Sequence, residues 1–276
     1  MFFNSEKKTI IGKESEEKLS SSNTNTLCTN PVKNSFCEKA NALRLENMFK
    51  EAVSSYLNAI LIDRNNFDSY FGLGICYKHL KQYAKAIKYL DIASSINDKS
   101  YEVFFELGIC HLLDGSPCGA IKNFVCAIQL NPDNPDAILQ LGMAHEMCEE
   151  YELALMIYQK LIENSPGFIK AYDHKSTLLM KLGNYKEASS VLHEILKLNP
   201  NYYKAYAGIG VCFDKLGKRS NAQRYYRKFL SEKPFSHKAE FIKNRLDKIK
   251  IKKPFASHLL PVSYTHLRAH ETRSNL

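Results

Sequence analysis

The strongest constraint on the fold is a 34-residue pattern that repeats six times without insertion or deletion. A fixed period of this length is typical of solenoids, in which each unit buries its apolar face against its neighbours. The period therefore predicts a stack of short units with a long exposed surface, rather than one globular core around a catalytic cleft. Alanine marks one position in every repeat, at Ala52, Ala86, Ala120, Ala154, Ala188 and Ala222.

Each repeat contains two runs of apolar residues with helical spacing. In the second repeat, Tyr70, Leu73 and Tyr77 lie three and four residues apart, as on one face of a helix. In three repeats a glycine separates the two runs, as expected where a helix ends, at Gly115, Gly183 and Gly217. Each repeat is therefore predicted to be a helix–turn–helix unit. The six units span 33–66, 67–100, 101–134, 135–168, 169–202 and 203–236.

The third repeat shows the residue pattern most clearly. Small residues at Gly108 and Ala120 would let its two helices approach closely, and Phe124 would fill the space between them. The full pattern resembles the tetratricopeptide repeat (TPR) family and consists of Phe104, Leu107, Gly108, His111, Ala120, Phe124, Ala127 and Pro132. This resemblance implies an all-α fold, a right-handed superhelical solenoid of six helix–turn–helix TPR units. Positions within a repeat are numbered 1 to 34 below.

Two repeats depart from the family pattern at positions 7 and 8, where Leu-Gly is expected. The first repeat has Lys39 and Ala40 there, and terminal repeats are often atypical because one face meets solvent. The fifth repeat has Lys175 and Ser176, although it lies inside the array. A lysine at such a site must carry its charge outward or find a partner. We therefore expect the fifth repeat to form the loosest internal joint.

A helix is predicted directly after the sixth repeat, in residues 237–250. Ala239, Ile242 and Leu246 lie on one stripe of this helix, with lysines on the opposite side. Solenoids need a terminal element that covers the last apolar face and presents a polar surface to water. We expect this segment to be such a capping helix.

The remaining segments lie at the two ends. Residues 1–32 are rich in Ser, Asn, Thr, Lys and Glu and are predicted to be a disordered leader. Residues 251–261 form a basic linker. Residues 262–276 are predicted to be a non-native tail, because VSYTHLRAHET resembles the translation of a sequencing adapter. On this interpretation we expect the natural chain to continue beyond about Pro261.

Composition indicates the compartment. The net charge of +9 is concentrated after Ser236, and such a basic end is usually a solvated surface, so nucleic acid is not the expected partner. The sequence has neither an apolar run that could cross a membrane nor a signal-peptide core. Cys76, Cys110 and Cys212 share position 10, on a helix face that should be buried, and no C-x-x-C pair exists. We expect a cytoplasmic, monomeric protein with free thiols and no membrane contact.

No catalytic motif or cofactor motif occurs in the sequence, so we expect no enzyme activity and no cofactor. One cluster has the residue types of a metal site and consists of Cys110, His111, His145 and Cys148. Its spacing matches no zinc signature, and position 11 is filled by packing residues in other repeats. The interpretation as packing residues is therefore favoured, and no metal is expected.

The resemblance implies that the first helix of each repeat lines a concave groove. Position 5 then contributes Phe71, Phe105 and Leu139 in succession. The groove is predicted to be apolar and acidic in its first half and basic in its second half. The candidate binding residues are Phe71, Ile75, Phe105, Glu106, Ile109, Leu139, Met143, Glu146, His174, Lys181, Lys204 and Lys215.

These features predict a non-catalytic scaffold that binds a protein partner, through a peptide or helix in the groove. One alternative is the substrate-docking arm of a truncated enzyme, for example a glycosyltransferase-like one, whose catalytic domain would lie beyond about Pro261. A further alternative is nucleic-acid binding through the basic end, which would require a steep dependence on salt.

Overall fold

A computed structural model describes residues 31–249 of the chain. Within this range thirteen α-helices follow one another, and the range contains no strand. The predicted leader, basic linker and adapter-like tail lie outside the described residues, except that the first helix begins at Pro31. The helices are α1 Pro31–Leu45, α2 Phe49–Ile62, α3 Phe67–His79, α4 Tyr83–Ile96, α5 Tyr101–Leu113, α6 Pro117–Leu130, α7 Pro135–Met147, α8 Tyr151–Asn164, α9 Ile169–Lys181, α10 Tyr185–Leu198, α11 Tyr203–Lys215, α12 Arg219–Glu232 and α13 Ala239–Lys248.

Helices that follow each other in the chain also contact each other in space, so the fold is an all-α solenoid of helical pairs. Further contacts join α1 to α3, α3 to α5 and α5 to α7. Among the described helices, no two even-numbered helices contact each other to this extent. Helices on the inside of a curved stack lie closer together than those on the outside. The odd-numbered helices therefore form the inner face of the first four pairs.

The close approach of the two helices within a pair depends on glycine at position 8. A Cβ atom at Gly108 would lie 2.4 Å from Cε1 of Phe124, and a Cβ atom at Gly142 would lie 2.4 Å from Cε1 of Tyr158. Both rings are completely buried. They fill the space that a side chain at position 8 would need, as close packing of a protein interior requires.

The turn inside each repeat places position 15 in the left-handed conformation. The φ angles of Gly115, Gly183 and Gly217 are 79°, 82° and 73°. Glycine adopts such angles without a steric penalty, and the predicted role of these glycines as helix breaks is confirmed. The other three repeats place a larger residue at this position: Asn47 (62°), Lys81 (58°) and Glu149 (60°).

The fifth repeat accommodates its unusual lysine by giving the charge two partners. The Lys175 side chain is only 12% exposed, and its Nζ lies 3.5 Å from Oε1 of Glu187. The same Nζ donates a hydrogen bond to Oε1 of Gln159 at 2.7 Å. Ser176 is buried at position 8 and donates its hydroxyl to the carbonyl oxygen of Asp173. Among consecutive helices of the six pairs, α8 and α9 make the sparsest contact, in agreement with a loose joint.

Asparagine side chains cap the starts of two helices. Ser116 precedes α6 and Pro117 is the first residue of α6, but no cap hydrogen bond to the Ser116 side chain forms. By contrast, Oδ1 of Asn66 accepts a hydrogen bond from the backbone nitrogen of Ser69 at 2.8 Å. Asn134 Oδ1 likewise accepts from two backbone amides at the start of α7. Such bonds satisfy donors that the first turn leaves free.

Helix α13 covers the end of the stack. Ile242 is buried in a cluster with residues of α11 and α12. The side-chain amide of Gln223 donates to the carbonyl oxygen of Ile249 at 2.8 Å. Arg245 forms an ion pair with Asp214 on α11, in which Nη2 and Oδ1 are 2.9 Å apart. The predicted capping helix is therefore present and is attached by both apolar and polar contacts.

The cysteines at position 10 are part of the core. Cys76, Cys110 and Cys212 are fully buried, which confirms the sequence-based prediction. Burial raises the pKa of Cys76 to about 11 and that of Cys110 to about 12. The cysteines within residues 31–249 are all free thiols. At this position cysteine acts as a small apolar residue.

Candidate peptide-binding groove

An open pocket of ≈ 370 Å³ lies on the inner face between α3, α5 and α7, and we call it the inner pocket. Three successive helical pairs contribute to it, so it exists only when the repeats are stacked. Its walls combine aromatic rings with carboxylates. The lining residues are Phe71 from α3, Tyr101, Glu102, Phe105 and Glu106 from α5, and Asn134, Asp136 and Gln140 from α7 and its N-cap.

Aromatic pairs one helical turn apart form the apolar walls of the inner pocket. Phe67 stacks on Phe71 with ring centroids 6.0 Å apart, and Tyr101 stacks on Phe105 at 5.6 Å. Residues four apart on a helix are neighbours, which brings each pair together. The ring of Phe105 also contacts the buried ring of Phe124 at 6.0 Å. The core therefore holds Phe105 in place while part of its ring faces the pocket.

Two carboxylates of the inner pocket are linked to lysines of other repeats. Glu106 Oε2 lies 2.5 Å from Lys78 Nζ, and both side chains of this pair are largely buried. Asp136 Oδ1 lies 2.9 Å from Lys170 Nζ, in a pair that is exposed to solvent. Exposed ion pairs contribute little to stability. Asp136 can therefore exchange its lysine for a cation of a ligand at small cost.

The third carboxylate, Glu102, has no cationic partner within the described part of the chain. Its Oε2 accepts a hydrogen bond from the Ser100 hydroxyl at 2.9 Å. Burial raises the pKa of Tyr101, and the negative charges of Asp136, Glu102 and Glu106 raise it further. The potential in the inner pocket is therefore negative, which favours cationic ligands.

The structure places the apolar candidates in two classes. Phe71 and Phe105 line the inner pocket, and Ile109 packs half-buried beside Phe105. Ile75 and Leu139, however, are only 7% and 3% exposed. They belong to the core, and the prediction that they present a surface to a ligand is wrong. Of the three residues predicted at position 5 of the groove, only Phe71 and Phe105 therefore face the inner pocket.

The side chain of Leu139 is covered by its neighbours along the stack. It packs in a cluster with Tyr158 of α8 and Ala171 of α9, and the half-buried Met143 packs against the same cluster. Position 5 carries large rings in the second and third repeats, and these rings reach beyond the core. The smaller leucine does not reach the surface.

The basic candidates lie apart from the inner pocket, on α9 and α11. Lys181 Nζ is 3.9 Å from Oε1 of Glu146 and 4.7 Å from the centroid of the Tyr151 ring, so its charge is already engaged. His174 is half-buried, and its ring lies 5.9 Å from that of Tyr158. The remaining two, Lys204 and Lys215, are both exposed on α11.

The candidate binding residues left out five residues that line the inner pocket: Tyr101, Glu102, Asn134, Asp136 and Gln140. Tyr101 lies at position 1 and Asn134 at position 34 of the third repeat. The signal for Tyr101 was its spacing of four from Phe105, a pattern shared by Phe67 and Phe71. Asn134 reaches the pocket because it caps α7 at its edge.

Two of the four residues considered for a metal site have other roles. Nδ1 of His145 lies 2.5 Å from Oε2 of Glu150. Cys110 is buried in the core. Within residues 31–249, no group of three or more His, Cys, Asp or Glu side chains is arranged to hold a metal ion. Among the described helices, none combines the length and the apolar character that crossing a membrane would need.

Comparisons with known proteins identify the fold. The C-terminal part of a TPR protein from Cytophaga hutchinsonii aligns with a TM-score of 0.69 and 20% identity, over 77% of this chain and 85% of that one. The pilus biogenesis factor PilW aligns with a TM-score of 0.63 and 20% identity, over 78% and 100%. YrrB, a TPR protein with an unusual peptide-binding site, aligns with a TM-score of 0.54 and 19% identity, over 68% and 97%.

Family comparisons agree with the structures. Residues 55–88 match the tetratricopeptide repeat family. The chain has a TPR fold, and one repeat-length segment matches the TPR family. Residues 135–250 also match the coatomer epsilon subunit family. Among curated proteins no significant match was found. A TPR fold is typical of non-catalytic scaffolds for protein–protein interaction, and it supports a protein as the partner class.

Proposed function

We propose that this protein is a scaffold that binds a peptide or helical segment of a partner protein in the inner pocket. The observation that carries the proposal is that half-buried aromatic rings and carboxylates line one pocket, in which Glu102 has no cationic partner among the described residues. The rings of Phe71 and Phe105 offer a rigid apolar wall. Glu102 and Asp136 sit beside this wall and attract cations. The fitting ligand therefore carries an apolar side chain next to a lysine or arginine.

Two further observations support a peptide ligand. YrrB, which shares the fold, has a peptide-binding site. The exposed lysines Lys204 and Lys215 favour acidic residues in the part of a ligand that extends towards α11. Affinity for one peptide should be about micromolar, since ordering a flexible segment offsets much of the gain from burial.

Selection of random phage-displayed peptides on the full chain tests the ligand class. Peptides bound at the inner pocket should be enriched in an aromatic or aliphatic residue flanked by lysine or arginine. A selected peptide with this pattern then serves as the fluorescent probe for variants. Selected peptides without positive charge beside the apolar residue would contradict the proposed chemistry.

Phe105→Ala should weaken binding of the selected probe by about 10- to 100-fold, as an aromatic anchor in an interface does. Glu102→Gln keeps the packing and removes one charge, so it should weaken binding by about threefold to tenfold. The matched control is Phe235→Ala, because Phe235 is 96% exposed and lies outside the inner pocket. Circular dichroism checks that each variant is folded. Equal binding by folded Phe105→Ala and wild type would exclude the inner pocket as the site.

A further inference from the structure

A second pocket, of ≈ 660 Å³, lies where α10, α11 and α12 meet, and we call it the basic pocket. The helices α8 and α9 separate it in the chain from the helices of the inner pocket. One wall is formed by cationic side chains of α12, and the other walls are apolar or aromatic. The residues that matter here are Arg224, Arg227 and Lys228, with Leu196, Tyr206 and Tyr225 around them.

The positive charge of the basic pocket is not balanced by nearby carboxylates. Lys228 Nζ is paired with Oε1 of Glu232 at 2.8 Å. Arg227 donates from Nη2 to Oε1 of Gln223 at 3.3 Å, and this acceptor is neutral. Within residues 31–249 neither Arg227 nor Arg224 forms an ion pair. Two guanidinium groups are therefore left to attract an anion.

The aromatic residues of the basic pocket act as walls, because their ring faces are already occupied. Tyr206 stacks on Tyr225 with centroids 6.4 Å apart, and Tyr225 stacks on Phe213 at 5.6 Å. Lys228 Nζ lies 5.8 Å from the centroid of Tyr206. The hydroxyl of Tyr225 is also held, 2.8 Å from Nε2 of His193. Nucleic-acid sites of this kind use free ring faces to stack bases, so the pocket favours an anion without a base.

We propose that the basic pocket binds an anionic segment of a protein, with an oxyanion held by Arg224 and Arg227. These two residues are three apart on α12 and therefore project from the same side of the helix. Guanidinium groups are planar donors that bind carboxylate or phosphoryl oxygens through paired hydrogen bonds. The site is distinct from the inner pocket, which selects cations, so one chain can hold two segments of opposite charge.

Fluorescence anisotropy with the full chain tests this proposal with three labelled probes. The first is a short peptide rich in glutamate, the second is the same peptide with phosphoserine in place of glutamate, and the third is an oligouridine RNA. The test variant is Arg224→Gln/Arg227→Gln, in which both changes lie on an exposed helix face. The charge-matched control is Lys122→Gln/Lys160→Gln, with exposed lysines on α6 and α8.

At least one anionic peptide should bind, and the Arg224→Gln/Arg227→Gln variant should weaken that binding by about tenfold or more. The control variant should change it by less than about threefold, since distant surface charges are screened. The preferred peptide identifies the anion as carboxylate or phosphoryl. Equal weakening by both variants, or no binding of either peptide, would overturn the proposal. So would tighter binding of the RNA that is lost in the arginine variant. Binding of the cationic probe selected for the inner pocket should be unchanged in the arginine variant.

Discussion

Replacing Gly108 by alanine should destabilise the protein, although alanine is the better helix former. The added methyl carbon would meet three atoms of the Phe124 ring at 2.4, 2.7 and 2.7 Å. Ordinary contacts of a Cβ atom begin near 3.4 Å, so the ring must move by close to 1 Å, a shift on the order of those in overpacked cores. The ring is fully buried and packs in a cluster with Ala120 and Ala144, which leaves it no open space.

Two opposing effects set the size of the change. Overpacking of a dense core costs about 1–3 kcal/mol. Replacing glycine by alanine in a helix contributes about 1 kcal/mol of stability. Because the clash involves three atoms of an immobile ring, the upper half of the first range applies. The net loss in free energy of unfolding is therefore about 1–2 kcal/mol, which lowers Tm by several degrees for a chain of about this size.

Urea denaturation followed by circular dichroism measures this loss in free energy. The matched control is Gly167→Ala, in the loop between α8 and α9. A Cβ atom there would meet nothing within 4 Å, and Gly167 does not need a positive φ. This control should be neutral or stabilising by about 0.5 kcal/mol, because alanine restricts the unfolded chain.

A second background isolates the clash. In a Phe124→Ala variant the aromatic ring is absent, so the methyl group of an alanine at residue 108 has room. Gly108→Ala should then be neutral or stabilising by about 1 kcal/mol, so the sign of its effect reverses. If Gly108→Ala is as stable as wild type, or equally destabilising in both backgrounds, helix contact through position 8 is not what requires glycine.

Two further predictions concern single positions. Glu149→Gly should raise the free energy of unfolding by about 0.5–1 kcal/mol, because relief of the left-handed strain exceeds the entropic cost of glycine. As the control, Lys160→Gly on the exposed side of α8 should lower the free energy of unfolding by about 1 kcal/mol in the same urea experiment. A thiol-reactive dye at about pH 8 should label exposed Cys118 quickly and Cys110 only after unfolding, since burial raises the pKa of Cys110 to about 12. This folded-state pKa exceeds the unfolded value of 9.0, so the contribution of Cys110 to stability is complete below about pH 9 and is lost as pH rises towards about 12. A Cys110→Ala variant that keeps the full alkaline loss of stability would refute this assignment.

The fold was predictable because its information is local and repeated. Spacings of three and four define each helix, and glycines such as Gly115 define the turns. Position 10 holds a cysteine in three repeats, on the apolar face of the first helix, which is why burial of Cys110 could be inferred from its position alone. The cap of α6 was less predictable. The hydroxyl of Ser116 can bind many partners, and the final backbone geometry decides whether a cap bond forms.

The candidate site was only partly predictable, because exposure at one position depends on residues far away in sequence. Phe105 and Leu139 occupy the same position in successive repeats, yet one faces the inner pocket and the other is buried. The difference arises from side-chain size and from the cluster that packs on Leu139. Tyr101 was not among the candidate binding residues, yet it lines the inner pocket, where it stacks on Phe105.

The sequence by itself determined the solenoid, the number of repeats and the helix that covers the last one. A constant period predicts the solenoid, its repeat number and its covering helix, since each unit can bury its apolar face only against the next. The tertiary structure alone decided where charges meet. Lys78 pairs with Glu106, 28 residues away, and this pairing leaves Glu102 as the uncompensated carboxylate of the inner pocket. Arg224 and Arg227 define a second pocket only when α10, α11 and α12 pack together. Such sites depend on side chains from different repeats, and no single repeat contains that information.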